Sequence, residues 1–222
     1  MEIQIKNLHK KYGRKEVLKG IDLSAASGQC VGVLGGNGCG KSTLLSILAG
    51  IQGADRGAFL YEGKDLFAYP KQRSALVGYV PQGTPLIEEL TARDNLLLWY
   101  DKKTMERELQ NGVLHMLGID EFLKTTVSNM SGGMKKRLSI GCAVAKHPPI
   151  LLLDEPMAAL DLSCKQHIFD YITKHKREGG IALLVTHDVL ELNLCDKCYV
   201  IRDGVATPFD FSGDLESLIK SF

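Results

Sequence analysis

The sequence predicts an α/β fold with a mixed sheet core, an antiparallel β subdomain and a helical insertion. Three observations carry that expectation. Short, nearly unbroken apolar runs at residues 31–34, 150–153 and 181–185 suit central parallel strands covered by helices on both faces. Alternating apolar and polar residues at Ile3, Ile5 and Leu8, at Ile21-Asp22-Leu23-Ser24 and at Ala58-Phe59-Leu60-Tyr61 suit antiparallel strands with one face exposed. Between Pro81-Gln82 and Pro148-Pro149 the spacing turns helical.

Each element has its local signal. Residues 43–49 follow a glycine-rich turn and read as a helix, and the strand at 58–61 ends on the turn residues Glu62-Gly63-Lys64. In the insertion, Thr91 precedes Asp94 by three residues as a capping pair, and Leu109, Val113 and Leu117 recur at helical spacing before Gly118. Ser131 reads as the N-cap of a helix running to about Ala145. A short helix is expected over residues 214–221, with no added regulatory domain after it. The expected organisation is one domain over 1–222: a core with its antiparallel β subdomain at about 1–82 and 150–222, and a helical subdomain at about 83–149. Internal repeats and low-complexity tracts are absent from the sequence.

Composition narrows the function. With 222 residues, 45% of them hydrophobic, the chain can bury a sizeable core. Its formal net charge of +1 supplies no global pull toward nucleic acid or an anionic membrane, so no nucleic-acid partner is expected. No stretch approaches the roughly 18 apolar residues of a spanning helix, and Met1-Glu2-Ile3-Gln4 does not open a secretory signal. A soluble, intracellular chain is expected. The six cysteines, Cys30, Cys39, Cys142, Cys164, Cys195 and Cys198, lack the rhythm of a disulfide scaffold and read as reduced thiols. The lone C-x-x-C of Cys195 and Cys198 reads as packing.

The chemistry starts at Gly35-Gly36-Asn37-Gly38-Cys39-Gly40-Lys41-Ser42, the pattern G-x-x-x-x-G-K-S between an apolar run and a helix beginning at Thr43. Glycines let successive backbone N–H groups turn onto a phosphate, and the helix aims its positive dipole end at the same place. Lys41 would reach the β- and γ-phosphates and Ser42 a Mg²⁺ ion, which makes this a P-loop NTPase signal with ATP or GTP as ligand. Cys39 lies inside that loop near a helix N-terminus, where a thiol pKa tends to fall, so alkylation there should block nucleotide binding. Asp154-Glu155-Pro156 closes a buried strand at its C-terminal end, where ligands sit in open α/β sheets. Asp154 would hold Mg²⁺ through a water and Glu155 would polarise the water that attacks the γ-phosphate. Ser131-Gly132-Gly133 at a helix N-terminus forms a second candidate anion site.

This set resembles the ATP-binding cassette (ABC) ATPases: the loop at 35–42, Gln82 after a strand, Ser131-Gly132-Gly133, Asp154-Glu155, Leu160-Asp161 and His187 after a strand, in that family's order. The resemblance implies that Tyr12 stacks on adenine, that Gln82 touches Mg²⁺ or the attacking water and senses a membrane partner, and that His187 contacts the γ-phosphate. It places Asp161 at the contact between two subunits. It also implies that Ser131, Gly132 and Gly133 close over the ATP held by a second ATPase subunit, so that two copies sandwich two ATP molecules and an isolated monomer hydrolyses slowly. Cofactors are then ATP and Mg²⁺. The partners are a second, identical ATPase subunit and an integral membrane permease, and the chain sits in the cytoplasm, peripheral on the inner face of the cell membrane.

Departures from the family pattern are Met134, in place of the usual glutamine, and Met157-Ala158, in place of a polar pair; both should weaken polar contacts at the subunit junction while leaving hydrolysis intact. The run from Ser131 to Leu138 is similar to one in the branch that exports drugs, lipids and polysaccharides, which points to export. Lys135-Lys136-Arg137 reads as a solvated helix face or an edge near the partner's phosphates. Leu96-Leu97-Leu98-Trp99 reads either as core packing or as the groove that receives the permease.

Overall fold

The computed structural model describes residues 1–211; the helix expected over 214–221 lies outside the described residues. Two sheets form. The first is antiparallel, in the order β2-β1-β4-β5, from β1 (Glu2–Tyr12), β2 (Lys15–Ala26), β4 (Arg56–Tyr61) and β5 (Lys64–Asp65). Ile3 and Ile5 point to its buried side by alternation, and Leu8 joins them because the pairing slips between Ile5 and Leu8, where Asn7 takes φ +48°. The second has the order β10-β9-β3-β8-β7-β6, from β3 (Cys30–Leu34), β6 (Val77–Val80), β7 (Ile150–Asp154), β8 (Ile181–Val185), β9 (Lys197–Arg202) and β10 (Val205–Phe209). Its strands run parallel except for the β9–β10 hairpin, which makes the sheet mixed.

The apolar runs of β3, β7 and β8 are buried on both faces. Their side chains alternate between two cores: Leu151, Leu153, Ala182 and Leu184 join one, Ile150, Leu152, Leu183 and Val33 the other. The first core contains the helices α3 (Ala92–Leu97), α4 (Lys102–Asn111), α5 (Val113–Met116) and α6 (Gly132–Ala143). The second holds α1 (Lys41–Ala49) against the antiparallel sheet. Helix α2 (Pro70–Leu76) precedes β6, α7 (Leu162–Arg177) connects β7 to β8, and α8 (Val189–Leu192) leads into β9. Parallel strands thus deliver their C-terminal ends, Leu34, Val80, Asp154 and Val185, to one edge of the sheet.

In the insertion, Thr91 and Asp94 make a capping box on α3, as the spacing predicts. The helix expected through Leu109, Val113 and Leu117 is broken at Gly112 (φ −106°, ψ −155°). The cause is Glu108, whose buried carboxylate accepts the Val113 N–H at 2.9 Å and caps the new helix. A Cβ at 112 would lie 2.0 Å from the Glu108 Oε2.

Candidate functional site

The loop at residues 35–40 packs on one side and is open on the other. A Cβ on Gly35 would fall 2.5 Å from the Ile201 carbonyl oxygen and 2.6 Å from the Cys39 Sγ, and one on Gly40 2.7 Å from the Leu18 Cδ2. On Gly36 or Gly38 it would meet nothing within 4 Å, and Gly36, Asn37 and Gly38 are exposed. Gly40, in a left-handed conformation, caps α1 without a side-chain hydrogen bond, so the helix offers its first N–H groups to a ligand. Lys41 is buried, and its Nζ donates to the Gly35 oxygen at 2.6 Å and the Gly36 oxygen at 3.1 Å. Thr43, half-buried, completes the first turn of α1.

The Ser42 hydroxyl, at the start of α1, faces the Asp154 carboxylate at the end of β7. Burial raises the Asp154 carboxyl above the usual range; the Ser42 hydroxyl, Lys41 and Lys136 work against that, and the neighbouring Glu155 adds to it. A hydroxyl beside a buried carboxylate is a set of hard oxygen donors, which fits Mg²⁺.

Glu155 adopts φ +48°, a left-handed turn that its N–H secures by donating to the Val185 oxygen at 2.9 Å. The turn swings its carboxylate toward two other strand ends. Gln82 Nε2 donates to Oε2 at 2.9 Å, and His187 Nε2 stands 3.4 Å from Oε1. Burial and the Lys41 charge hold the His187 pKa below its ordinary value, against the pull of Glu155, so the imidazole is neutral at pH 7. Residues far apart in the sequence therefore converge on one carboxylate.

Residues 18–158 match the family described as ABC transporter. The chain belongs to the ABC transporter family. Among its relatives, the spermidine/putrescine import ATP-binding protein PotA of Mesoplasma florum is 36% identical over 97% of this chain and 64% of its own length. The linearmycin resistance ATP-binding protein LnrL of Bacillus subtilis is 33% identical over 91% of this chain and 67% of its own. The chain thus spans about two thirds of the length of these relatives. A solved structure titled as the ATP binding subunit of an ABC transporter superposes with a TM-score of 0.83 at 27% identity, covering 93% of this chain and 88% of that one.

In this ABC protein the second anion-site candidate is built where α6 meets α7. Ser131 caps α6 by accepting the Met134 N–H at 3.2 Å, and Ser131 and Gly132 are exposed. Gly133 is buried against Cys164, and a Cβ there would stand 3.9 Å from the Asp161 Oδ2. Asp161 caps α7 through the Cys164 N–H at 2.8 Å. Residues 131–133 and 161 thus share one patch, and among the described residues no hydrogen bond joins it to residues 35–42. Tyr12 is half exposed at the end of β1, its hydroxyl donating to Gln52. It stands on the hairpin whose Val17 and Leu18 pack against Gly40.

Three expectations change. Lys135-Lys136-Arg137 is not a solvated face. Lys136 and Arg137 are 5% and 7% exposed, Arg137 donating to the Leu117 oxygen at 3.0 Å and lying over the Phe122 ring. Their long stems join the core while the charges find carbonyls, a use of lysine and arginine that charge counting overlooks. No helical periodicity held this signal, since α6 is buried at every position from Lys136 to Cys142 and encloses its cations instead of setting them on one face. Met157 is 1% exposed and packs in the core, so it is no part of a surface junction. Leu96 is core, whereas Leu97, Leu98 and Trp99 are exposed, so the core reading of that run holds for its first residue. Glu191, which no sequence motif singled out, is 1% exposed on α8, and burial pushes its carboxyl up to about 7 despite a hydrogen bond from Thr186.

Proposed function

We propose that the chain binds and hydrolyses ATP and drives a separate membrane permease by closing on a second copy of itself. The observation that carries this reading is the convergence of Gln82 and His187 on the Glu155 carboxylate, beside Asp154 and its Ser42 partner. The open side of the glycine loop and the uncapped start of α1 receive the phosphates, and Lys41 exchanges its loop carbonyls for phosphate oxygens. Ser42, Gln82 and Asp154, the last through a water, would hold Mg²⁺, which supplies charge neutralisation at the transferring phosphoryl group. Glu155 orients and deprotonates the attacking water, and neutral His187 donates toward the γ-phosphate. Tyr12 stacks on the base.

The patch of Ser131, Gly132, Gly133 and Asp161 serves the ATP of the facing subunit, so each site lacks half its donors until the dimer forms. The subdivision into a core at about 1–82 and 150–222 and a helical part at about 83–149 lets the latter, with Gln82 at its root, carry the motion to the permease. No helix among the described residues is long and apolar enough to cross a membrane, which agrees with a cytoplasmic subunit peripheral to the membrane. The names of the relatives include both import and resistance proteins. Our reading of the direction is export, supported by the run from Ser131 to Leu138; transport into inverted vesicles tests it.

The central test is Glu155→Gln. Turnover should fall by roughly 100-fold or more, and light scattering should find an ATP-dependent dimer. A variant that stays monomeric at saturating ATP excludes the sandwich, and one that hydrolyses at the parental rate excludes Glu155 as the base.

A further inference from the structure

Lys136 has no part in the reaction as drawn, yet its ammonium is buried beside the site. The Nζ donates to the Gln82 oxygen at 2.8 Å and the Pro81 oxygen at 3.0 Å. Both carbonyls belong to the bend that leaves β6, and the residue carrying the first is the one whose side chain reaches Glu155 Oε2 at 2.9 Å. Lys136 itself lies one turn into α6, whose N-terminus presents Ser131 and Gly132. Its neighbour Lys135 reaches Glu88 at 3.4 Å, so α6 grips the segment after β6 at two points.

A continuous path therefore runs from the start of α6 through the main chain of Gln82, then its side chain, to the carboxylate. A compact ammonium with three donors suits this place, because it can serve two adjacent carbonyls and still face the charges beyond them. Burial draws its pKa below the ordinary value, and Asp154, Glu155 and Glu191 oppose that.

We propose that Lys136 is a positioning residue for Gln82: it fixes the bend that brings the Gln82 amide to Glu155, and it ties that contact to the position of α6. The inference rests on Glu155 being the base. Removing the ammonium frees the bend, so Gln82 samples positions away from the carboxylate, and the reacting geometry is lost while the phosphate loop is untouched.

The test is steady-state hydrolysis by the purified full chain, with ATP affinity measured in parallel, for Lys136→Met, Lys136→Gln, Gln82→Ala, the Lys136→Met/Gln82→Ala pair and Glu155→Gln. Lys136→Met should lower kcat about 10-fold with KM and ATP affinity within about twofold of the parent. Lys136→Gln, which keeps uncharged N–H donors for the bend, should recover part of the rate. Combining Lys136→Met with Gln82→Ala should be no slower than Gln82→Ala alone, because one contact is being removed twice. Multiplying effects, a parallel loss of ATP affinity, or a Lys136→Met rate within twofold of the parent overturns the proposal. If Lys136→Met does not fold, Lys136→Gln carries the same cycle. If Glu155→Gln is inactive and Lys136→Met is not, this inference alone fails; if Glu155→Gln keeps the parental rate, the base assignment fails and takes it along.

Discussion

At the scale of single residues, burial sets the chemistry. Glu191 is held in the folded chain with its carboxyl at about 7, against an ordinary value of 4.5. Between those values the folded state binds more protons than the unfolded one, so stability falls as pH rises from 4.5 to 7 and stays lost above. Glu191→Gln removes that loss: at pH 8 the variant should be more stable than the parent by no more than about 3 kcal/mol, and at pH 4 the two should coincide. Urea unfolding at both pH values checks this, and parallel curves exclude it. Cys39 offers a second prediction. Its Sγ fills the space beside Gly35, so a thiol adduct must distort the phosphate loop. N-ethylmaleimide should abolish ATP binding in the parent but not in Cys39→Ser, with ATP slowing the reaction; binding that survives full modification of Cys39 counts against it.

At the scale of elements, the sequence was most legible where one residue closes one helix. The Thr91–Asp94 box and the Ser131 cap each depend on a spacing of three residues, and the loop at 35–42 is contiguous. The break at Gly112 was hidden because Leu109, Val113 and Leu117 keep helical spacing across it, and only the buried Glu108 reveals the new start. Glu108→Ala leaves the Val113 N–H without its acceptor. It should cost about 2 kcal/mol in calorimetric or urea unfolding, whereas Glu108→Gln, which still accepts, should cost less. Equal losses would assign Glu108 a packing role instead. The basic run on α6 is hidden for a different reason: charge alone says nothing about which residues of a helix face inward, and here two of three cations do.

At the scale of the molecule, what the sequence could not supply was convergence. Gln82, Glu155 and His187 come from the ends of three strands, and nothing local states that β6, β7 and β8 lie side by side. The strand end named Glu155 and the resemblance to a family named Gln82 and His187; the sheet order brings them together. The exposed Leu97, Leu98 and Trp99 belong to this scale too, as the surface proposed for the permease. Trp99→Ser should leave the stability of the isolated chain within about 0.5 kcal/mol and its ATP turnover unchanged, while reducing transport by the assembled complex. Unchanged transport places the permease elsewhere. The sharing of β7 between two cores has a further consequence, for how this chain tolerates change. Successive side chains of the strand answer to different neighbours, Leu151 and Leu153 to the helices, Ile150 and Leu152 to the phosphate-loop side. A substitution scan of that strand should therefore show a phenotype with a period of two, one set of positions buffered by the helical side and the other by the β side, with Asp154 as the point where both constraints meet.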